Sequence, residues 1–241
     1  MLNRDEDILK AAEDWQRAGH GVALATVVET WGCAGAASPR RISTPRRPVS
    51  FWIVGSAKKH EAQMRSQQDS AGGLRHLITL DGLTRDALTA ILDRAESYRR
   101  LPGQPAYEGR ELAGVTVANL FFEPSTRTRA SFDLASRRLG AHVLNLDLHS
   151  SSRAKGESML DTIYTLEAMN TDVFVIRDSE AGMPEFLIDH VAPHVSVVSA
   201  GEAHLSHPTQ GLLDALTIRT HKRRFAGLKV AVVGDIKHSR V

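Results

Sequence analysis

Residues 115–129 read Val-Thr-Val-Ala-Asn-Leu-Phe-Phe-Glu-Pro-Ser-Thr-Arg-Thr-Arg. The uncharged, mostly apolar first half predicts a buried strand, and the Glu-Pro-Ser-Thr run that follows is typical of a turn into a helix. Helical spacing then continues to Leu139, and Gly140 is the residue type that most often lies beyond a helix end. A strand followed directly by a helix is the repeating unit of a parallel α/β sheet.

The same strand-helix unit recurs on both sides of this stretch. Apolar residues around Leu88 and Leu92 predict a preceding helix with Thr84 as its N-cap, and prolines open two later helices. The predicted strands are 115–122, 142–147, 172–176, 195–199 and 228–234, and the helices between them are 128–139, 157–169, one from Pro184, and one from Pro208 to about 220. Because several of these strands are apolar on both faces, we predict a doubly wound parallel α/β sheet.

Composition excludes several functional classes. The chain has 241 residues and a formal net charge of +2, a balance that gives no support for nucleic-acid binding. No apolar run approaches the roughly 20 residues of a membrane-spanning helix. The acidic start lacks the apolar core of a secretory signal, and the single cysteine, Cys33, permits no intrachain disulfide. These features predict a cytoplasmic protein with neither a nucleic-acid nor a membrane partner.

The amino-terminal third differs from the rest. Residues 34–73 are rich in Ala, Pro, Ser, Arg and Gln and predict a mostly irregular linker with a weak strand at 51–55. Residues 1–33 show helical spacing followed by a strand at 22–28. Because 33 residues are too few for an independent core, we predict an appended helix-strand segment that is unpaired or partly ordered. This opening resembles the start of molybdenum-hydroxylase maturation factors of the XdhC/CoxI type.

Polar residues cluster where the predicted strands end, which is the edge at which parallel α/β sheets bind ligands. The first strand is followed by hydroxyls and guanidiniums at Ser125–Arg129, the third by Arg177, and the fourth leads to His207 and Gln210. Hydroxyls, guanidiniums and the N–H groups of a helix start are what an oxyanion such as phosphate needs. Taken singly, Ser125 or Thr126 is more simply a helix cap, and the arginines solvated charges; their joint occurrence favours a site.

Nucleotide binding has no support, because neither a Gly-rich phosphate loop nor a dinucleotide fingerprint occurs.

Five ordered motifs resemble the aspartate and ornithine carbamoyltransferase family over about residues 72–241. Residues 125–129 match its carbamoyl-phosphate signature, and the preceding Phe-Phe-Glu-Pro has the aspartate-type form. The others are Ser151 with Lys155-Gly156-Glu157, His207-Pro208-Thr209-Gln210, and the run from Gly234 to Arg240.

The resemblance implies a domain division. Residues 74–222 would form the carbamoyl-phosphate-binding domain, and residues 223–241 the truncated start of the aspartate-binding domain, contributing only the first strand of a second α/β domain. Relatives of this kind run on much further, so we expect activity to depend on the missing part.

The implied reaction transfers the carbamoyl group from carbamoyl phosphate to the amine of L-aspartate in pyrimidine biosynthesis, with no cofactor or metal. The implied catalytic residues are Arg127, Thr128, Arg177, His207 and Gln210. The implied substrate-binding residues are Ser125, Thr126, Arg127, Thr128, Ser151, Lys155, Arg177, His207, Gln210 and Arg240. Ser151 and Lys155 would reach the neighbouring site of a homotrimer, to which regulatory or dihydroorotase-like chains could bind.

Three alternatives remain open. Ornithine carbamoyltransferase keeps the chemistry, but its members carry cysteine at the place of Thr209 and lack the Phe-Phe-Glu-Pro form. A non-catalytic carbamoyl-phosphate-binding or assembly subunit would be expected to lose signature residues, which are retained here. A molybdoenzyme accessory factor rests only on residues 1–33.

Overall fold

The computed structural model describes residues 67–147, 158–203 and 205–233, together with the strand 21–26 and isolated positions between 10 and 19. The elements in chain order are β1 (Gly21–Thr26), α1 (Arg85–Tyr98), β2 (Thr116–Phe121), α2 (Thr126–Arg138), β3 (His142–Asp147), α3 (Met159–Ala168), β4 (Val173–Asp178), α4 (Met183–Ile188), β5 (Ser196–Glu202), α5 (Pro208–Lys222) and β6 (Leu228–Val233). Each element predicted from residue 84 onward is present within a few residues of its expected bounds. The weak strand predicted at 51–55 lies outside the described residues.

Four strands form one parallel sheet in the order β3-β2-β4-β5. β2 and β4 lie in the middle, and all but the first residue of each is buried. Leu120 and Phe174 pack against Ile163 of α3 on one face of the sheet. On the other face Val117 and Phe121 pack with Phe132 of α2. Both faces are therefore covered by helices, which confirms the predicted doubly wound α/β fold.

Two helices start with complete side-chain caps. The Thr84 hydroxyl accepts a hydrogen bond from Ala87 N at 3.1 Å and caps α1 as predicted. At the start of α3, Ser158 and Asp161 form a reciprocal capping box. Such caps satisfy N–H groups that would otherwise have no partner within the helix.

The predicted linker ends earlier than residue 73. Gln67 is fully buried, and its Oε1 accepts hydrogen bonds from Ile78 N at 2.7 Å and Thr79 N at 3.1 Å. Leu77 pairs with Val198 at the outer edge of β5. Polar composition did not reveal the burial of Gln67, because a polar side chain is buried where it satisfies backbone N–H groups.

His76 is a buried neutral acceptor in the same segment. Its Nδ1 accepts a hydrogen bond from Val197 N at 3.0 Å. Burial, with the nearby Arg75 charge, lowers the pKa of His76 to about 4. The imidazole is therefore uncharged at neutral pH, as that hydrogen bond requires.

The amino-terminal strand has a partner, contrary to prediction. β1 pairs with β6 in parallel, from Gly21 opposite Leu228 to Thr26 opposite Val233. The two form a sheet separate from the four-stranded one. A strand edge carries backbone N–H and C=O groups that must be satisfied, and an apolar segment such as Gly21–Thr26 can satisfy them. Strand β6 thus has a neighbour within this chain.

Candidate active site

A β-bulge shapes the carboxyl end of the sheet. β4 and β5 pair regularly up to Ile176 opposite Ser199, and pairing resumes at Asp178 opposite Glu202. Two residues of β5, Ala200 and Gly201, therefore face one residue of β4. The sequence predicted that these strands end at Ile176 and Ser199; they continue because the extra residue in β5 restores the pairing. Bulges of this kind commonly redirect side chains beside active sites.

Arg177, the single β4 residue opposite the bulge, is 7% exposed. Its Nη1 donates a hydrogen bond to Ala200 O at 3.0 Å, and its Nη2 lies 3.3 Å from Oε2 of Glu123 in an ion pair. Glu123 lies between β2 and α2, and Phe122 N donates to Arg177 O at 2.8 Å. The ends of β2, β4 and β5 are thus joined around one buried guanidinium, whose charge is compensated by a carboxylate.

Gly201 brings Arg177 and His207 together. Its φ is +117°, and a Cβ at this position would lie 2.5 Å from Nη1 of Arg177 and 3.3 Å from Cδ2 of His207. The guanidinium and the imidazole therefore both pack against the same glycine. Only glycine combines this backbone conformation with the space that the two side chains occupy.

His207 is the N-cap residue of α5, but its side chain makes no capping hydrogen bond. Its Nδ1 lies 3.3 Å from the Thr209 hydroxyl. Gln210, in the first turn, donates from Nε2 to Asp214 Oδ1 at 3.0 Å. The bond to Asp214 fixes the orientation of the Gln210 amide, with its nitrogen as the donor to the carboxylate.

The start of α2 differs from a capped helix start. Ser125 is its N-cap residue, yet its hydroxyl makes no capping hydrogen bond, and no acidic residue lies in the first turn. Ser125 and Thr128 are half-buried, whereas Thr126 and Arg127 are exposed. The simpler explanation of Ser125 as a cap is therefore wrong. Helix N–H groups left without a cap favour an anion.

An open cleft of about 390 Å³ lies beside the same helix start, lined by Thr126, Arg129, Ala130, Asp133 and Asn145. Polar bonds run behind it from strand to helix: Asn119 donates to Asn145, and Asn145 to Asp133, each at 2.8 Å. Hydrogen bonds from Asn145 and Arg137 hold the pKa of Asp133 below its usual range, although partial burial opposes them. The network ties β2 and β3 to α2.

The predicted residues divide into two groups. Ser125, Thr126, Arg127 and Thr128 lie at the start of α2, while Arg177 and His207 meet at Gly201 and Gln210 lies one turn into α5. Ser151, Lys155 and Arg240 lie outside the described residues. Glu123, Gly201 and Thr209 were not predicted as site residues. The available signal for Gly201 was a glycine two residues beyond the predicted strand end at the ligand edge.

Residues 75–220 match the family model described as aspartate/ornithine carbamoyltransferase, carbamoyl-P binding domain. The chain belongs to the aspartate/ornithine carbamoyltransferase family. Solved structures agree with this assignment. Aspartate transcarbamoylase from Trypanosoma cruzi in complex with carbamoyl phosphate and aspartate is 31% identical over 73% of this chain and 52% of that chain, with a TM-score of 0.63. The same enzyme in complex with carbamoyl aspartate and phosphate is 34% identical over 69% of this chain and 50% of that chain, with a TM-score of 0.62.

The chain spans about half the length of the solved structures that it matches. None of the helices in the described part of the chain is long and apolar enough to cross a membrane. Among the same residues, no group of three or more His, Cys, Asp or Glu side chains is arranged to hold a metal ion.

Proposed function

We propose that the described domain binds carbamoyl phosphate, and that the whole protein transfers its carbamoyl group to the amine of L-aspartate. The products would be N-carbamoyl-L-aspartate and phosphate, as in an early step of pyrimidine synthesis. The observation that supports this most strongly is the meeting of Arg177 and His207 at Gly201, on the edge where the uncapped helices α2 and α5 begin.

The phosphate would lie at the start of α2. Ser125, Thr126 and Thr128 supply hydroxyls, and the first N–H groups of the helix add donors. Arg127 adds a guanidinium, whose charge-assisted bonds to phosphate oxygens are among the stronger hydrogen bonds in proteins. No acidic residue in this turn opposes the anion.

Arg177 and His207 would polarise the carbamoyl oxygen. The Thr209 hydroxyl lies within hydrogen-bond distance of Nδ1 of His207, and we assign it as the donor, which would place the imidazole proton on Nε2. His207 then acts as a hydrogen-bond donor to the developing oxyanion, and neither as a nucleophile nor as a base. Donors fixed before the reaction stabilise the transition state without reorganising during it.

Gln210 would bind the carbamoyl NH₂. Since its Nε2 already donates to Asp214, its amide oxygen is the group that can accept from an amine or amide nitrogen. Hydrogen bonds to both the oxygen and the nitrogen of the carbamoyl group would fix the plane that the aspartate amine attacks.

Glu123 would hold Arg177 until substrate binds. The ion pair at 3.3 Å orients the guanidinium and compensates its buried charge. Because the carbamoyl oxygen offers the same guanidinium another acceptor, substrate and Glu123 would compete for Arg177.

We propose aspartate and not ornithine as the acceptor, because Thr209 and the Phe-Phe-Glu-Pro sequence both have the aspartate-type form. The solved relative bound to aspartate belongs to an aspartate transcarbamoylase. We assign Arg240, outside the described residues, to an aspartate carboxylate.

The proposed assembly is a homotrimer in which Ser151 and Lys155 complete a neighbour's phosphate site. Mixing Lys155→Ala with Arg127→Ala chains under subunit exchange should then restore a fraction of sites that contain both wild-type residues. Mixtures no better at binding carbamoyl phosphate than the separate variants would contradict the shared site.

Product formation by the purified 241-residue chain tests the proposal, with aspartate and then ornithine as acceptor. We expect carbamoyl-aspartate, or, where turnover depends on parts that the longer solved chains have beyond the matched half, carbamoyl-phosphate binding without turnover. Citrulline as the product, or a folded chain that binds neither carbamoyl phosphate nor phosphate, would refute it.

A further inference from the structure

Two buried carboxyl groups lie directly behind the Arg177–His207 pair. Asp178 is fully buried and Glu202 is 7% exposed. They are opposite each other on β4 and β5, at the point where regular pairing resumes after the bulge. Acidic side chains are rarely buried without a specific role, because removing a carboxyl group from water is costly. Neither residue has a part in the proposed chemistry.

Glu202 joins three segments. Its Oε1 accepts a hydrogen bond from Gly182 N at the start of α4. Its backbone N–H donates to Ser206 O at 2.9 Å, which closes the turn that leads into His207. Immediately after Glu202, Ala203 N donates to the backbone O of Asp178 on the adjacent strand β4 at 2.9 Å. The Glu202 side chain therefore ties the start of α4 to the end of β5, while backbone bonds of Glu202 and Ala203 hold the segment that leads to His207.

The surroundings of Glu202 disfavour its charged form. Burial, followed by the carboxylates of Glu185 and Asp178, raises the pKa of Glu202, while the Gly182 N–H opposes the shift. A side chain that acts by accepting a hydrogen bond does not need its charge for this task. Glutamine, which keeps an amide oxygen at the same reach, is therefore the appropriate conservative replacement.

We infer that Glu202 is a positioning residue: by tying the start of α4 to the end of β5, its side chain sets the spacing of Arg177 and His207 that the carbamoyl group requires. The inference rests on the proposed function, since it concerns the same site. Glu202 is assigned no contact with either substrate. It acts through Gly201, which precedes it in the chain and contacts both donors.

Two ligands separate positioning from general stability. Inorganic phosphate binds at the start of α2 without using Arg177 or His207, whereas carbamoyl phosphate also needs these two side chains at the correct distance. A change in the distance between Arg177 and His207 should therefore weaken the binding of carbamoyl phosphate and leave the binding of inorganic phosphate unchanged. A merely structural role for Glu202 would weaken both ligands equally, or neither.

The experiment measures the dissociation constants of both ligands on the full chain by titration calorimetry. We expect Glu202→Ala to weaken the binding of carbamoyl phosphate by about tenfold and to leave the affinity for phosphate within about twofold of wild type. Glu202→Gln should restore carbamoyl-phosphate affinity. Glu180→Gln, which makes the same chemical change at an exposed position in the loop after β4, should alter neither constant.

Equal weakening of both ligands in Glu202→Ala, an unchanged ratio, or no restoration by glutamine would overturn the inference. If the alanine variant does not fold, Glu202→Asp gives the test, because it keeps the carboxylate but shortens its reach by one methylene. The same selective loss is then expected, and an unchanged ratio overturns the inference. Wild-type protein that binds neither ligand would refute the proposed function itself.

Discussion

The starts of α1 and α3 differ from those of α2 and α5. Thr84 and Ser158 cap the first pair, and each of these helices has an acidic residue in its first turn. Ser125 and His207 occupy the N-cap positions of the second pair without a capping bond, and those first turns contain no acid. Because an unused helix start costs stability, the difference supports our proposal that a ligand uses the N–H donors at the starts of α2 and α5.

α4 is an intermediate case that clarifies the comparison. Its N-cap is Gly182, which has no side chain, and Glu202 of the neighbouring strand accepts from the Gly182 N–H. A carboxyl oxygen from the protein thus accepts a hydrogen bond at this helix start. At α2 the corresponding acceptor would come from the substrate.

The largest expected effect concerns the charge at the start of α2. Arg127→Ala should weaken carbamoyl-phosphate binding by at least about 100-fold, because the phosphate loses its charge-assisted partner. Arg138→Ala, at the exposed end of the same helix, serves as the control and should bind normally in calorimetry. Unchanged carbamoyl-phosphate affinity in Arg127→Ala would contradict the proposal that the phosphate binds at the start of α2.

A second prediction concerns the glycine between Arg177 and His207. Gly201→Ala should reduce carbamoyl-phosphate affinity by about tenfold or more and destabilise the fold by about 2 kcal/mol, since its Cβ would collide with the guanidinium at a positive φ. Gly114 also has a positive φ, but a Cβ added there would meet nothing within 4 Å, so Gly114→Ala should cost about 1 kcal/mol and leave binding intact. Equal carbamoyl-phosphate affinity of the two variants in calorimetry would mean that a Cβ at residue 201 does not displace Arg177 or His207.

A third change would make α2 resemble α1. Thr126→Asp places a carboxylate in the first turn, which should weaken phosphate binding by about tenfold while stabilising the helix by about 0.5 kcal/mol. Thr126→Asn introduces a side chain of nearly the same shape as aspartate without the charge and should lose much less affinity. Phosphate titration and urea denaturation of both variants measure the two effects, and similar losses in both would point to shape instead of charge.

The smallest expected effects compare the hydroxyls at two N-cap positions. Thr84→Ala should lower the free energy of unfolding by about 1 kcal/mol without affecting phosphate binding, because it removes the bond to Ala87 N. Ser125→Ala should change stability by only a few tenths of a kcal/mol and weaken phosphate about threefold. In urea denaturation, a loss of about 1 kcal/mol in Ser125→Ala with little loss in Thr84→Ala would mean that Ser125 caps α2.

Much of this contrast could be predicted from the sequence. Alternating apolar runs and helix boundaries fix the doubly wound sheet, and the position of Ser125–Arg129 and Arg177 after strands indicates the ligand edge. Thr84 as a cap was predicted correctly. Whether Ser125 caps its own helix was not predictable, because the same residue type serves both roles and only geometry distinguishes them.

Long-range pairing accounts for the remaining differences. The bulge at Ala200 and Gly201, the pairing of β1 with β6 and the burial of Gln67 each depend on residues far away in the sequence. Local patterns carry no information about such partners. The contact of Gly201 with both Arg177 and His207 follows from the bulge. A sequence pattern could therefore indicate these residues, but it could not predict that they contact one another.

The most direct test of the account is a phosphate titration of the isotope-labelled chain, followed by amide NMR shifts. We predict that the N–H signals of Thr126, Arg127 and Thr128 at the start of α2 move in a saturable way. Those of Arg85, Asp86 and Ala87 at the capped start of α1 should stay in place. Equal shifts at both helix starts, or none at α2, would contradict the claim that α2 is left uncapped for the substrate phosphate.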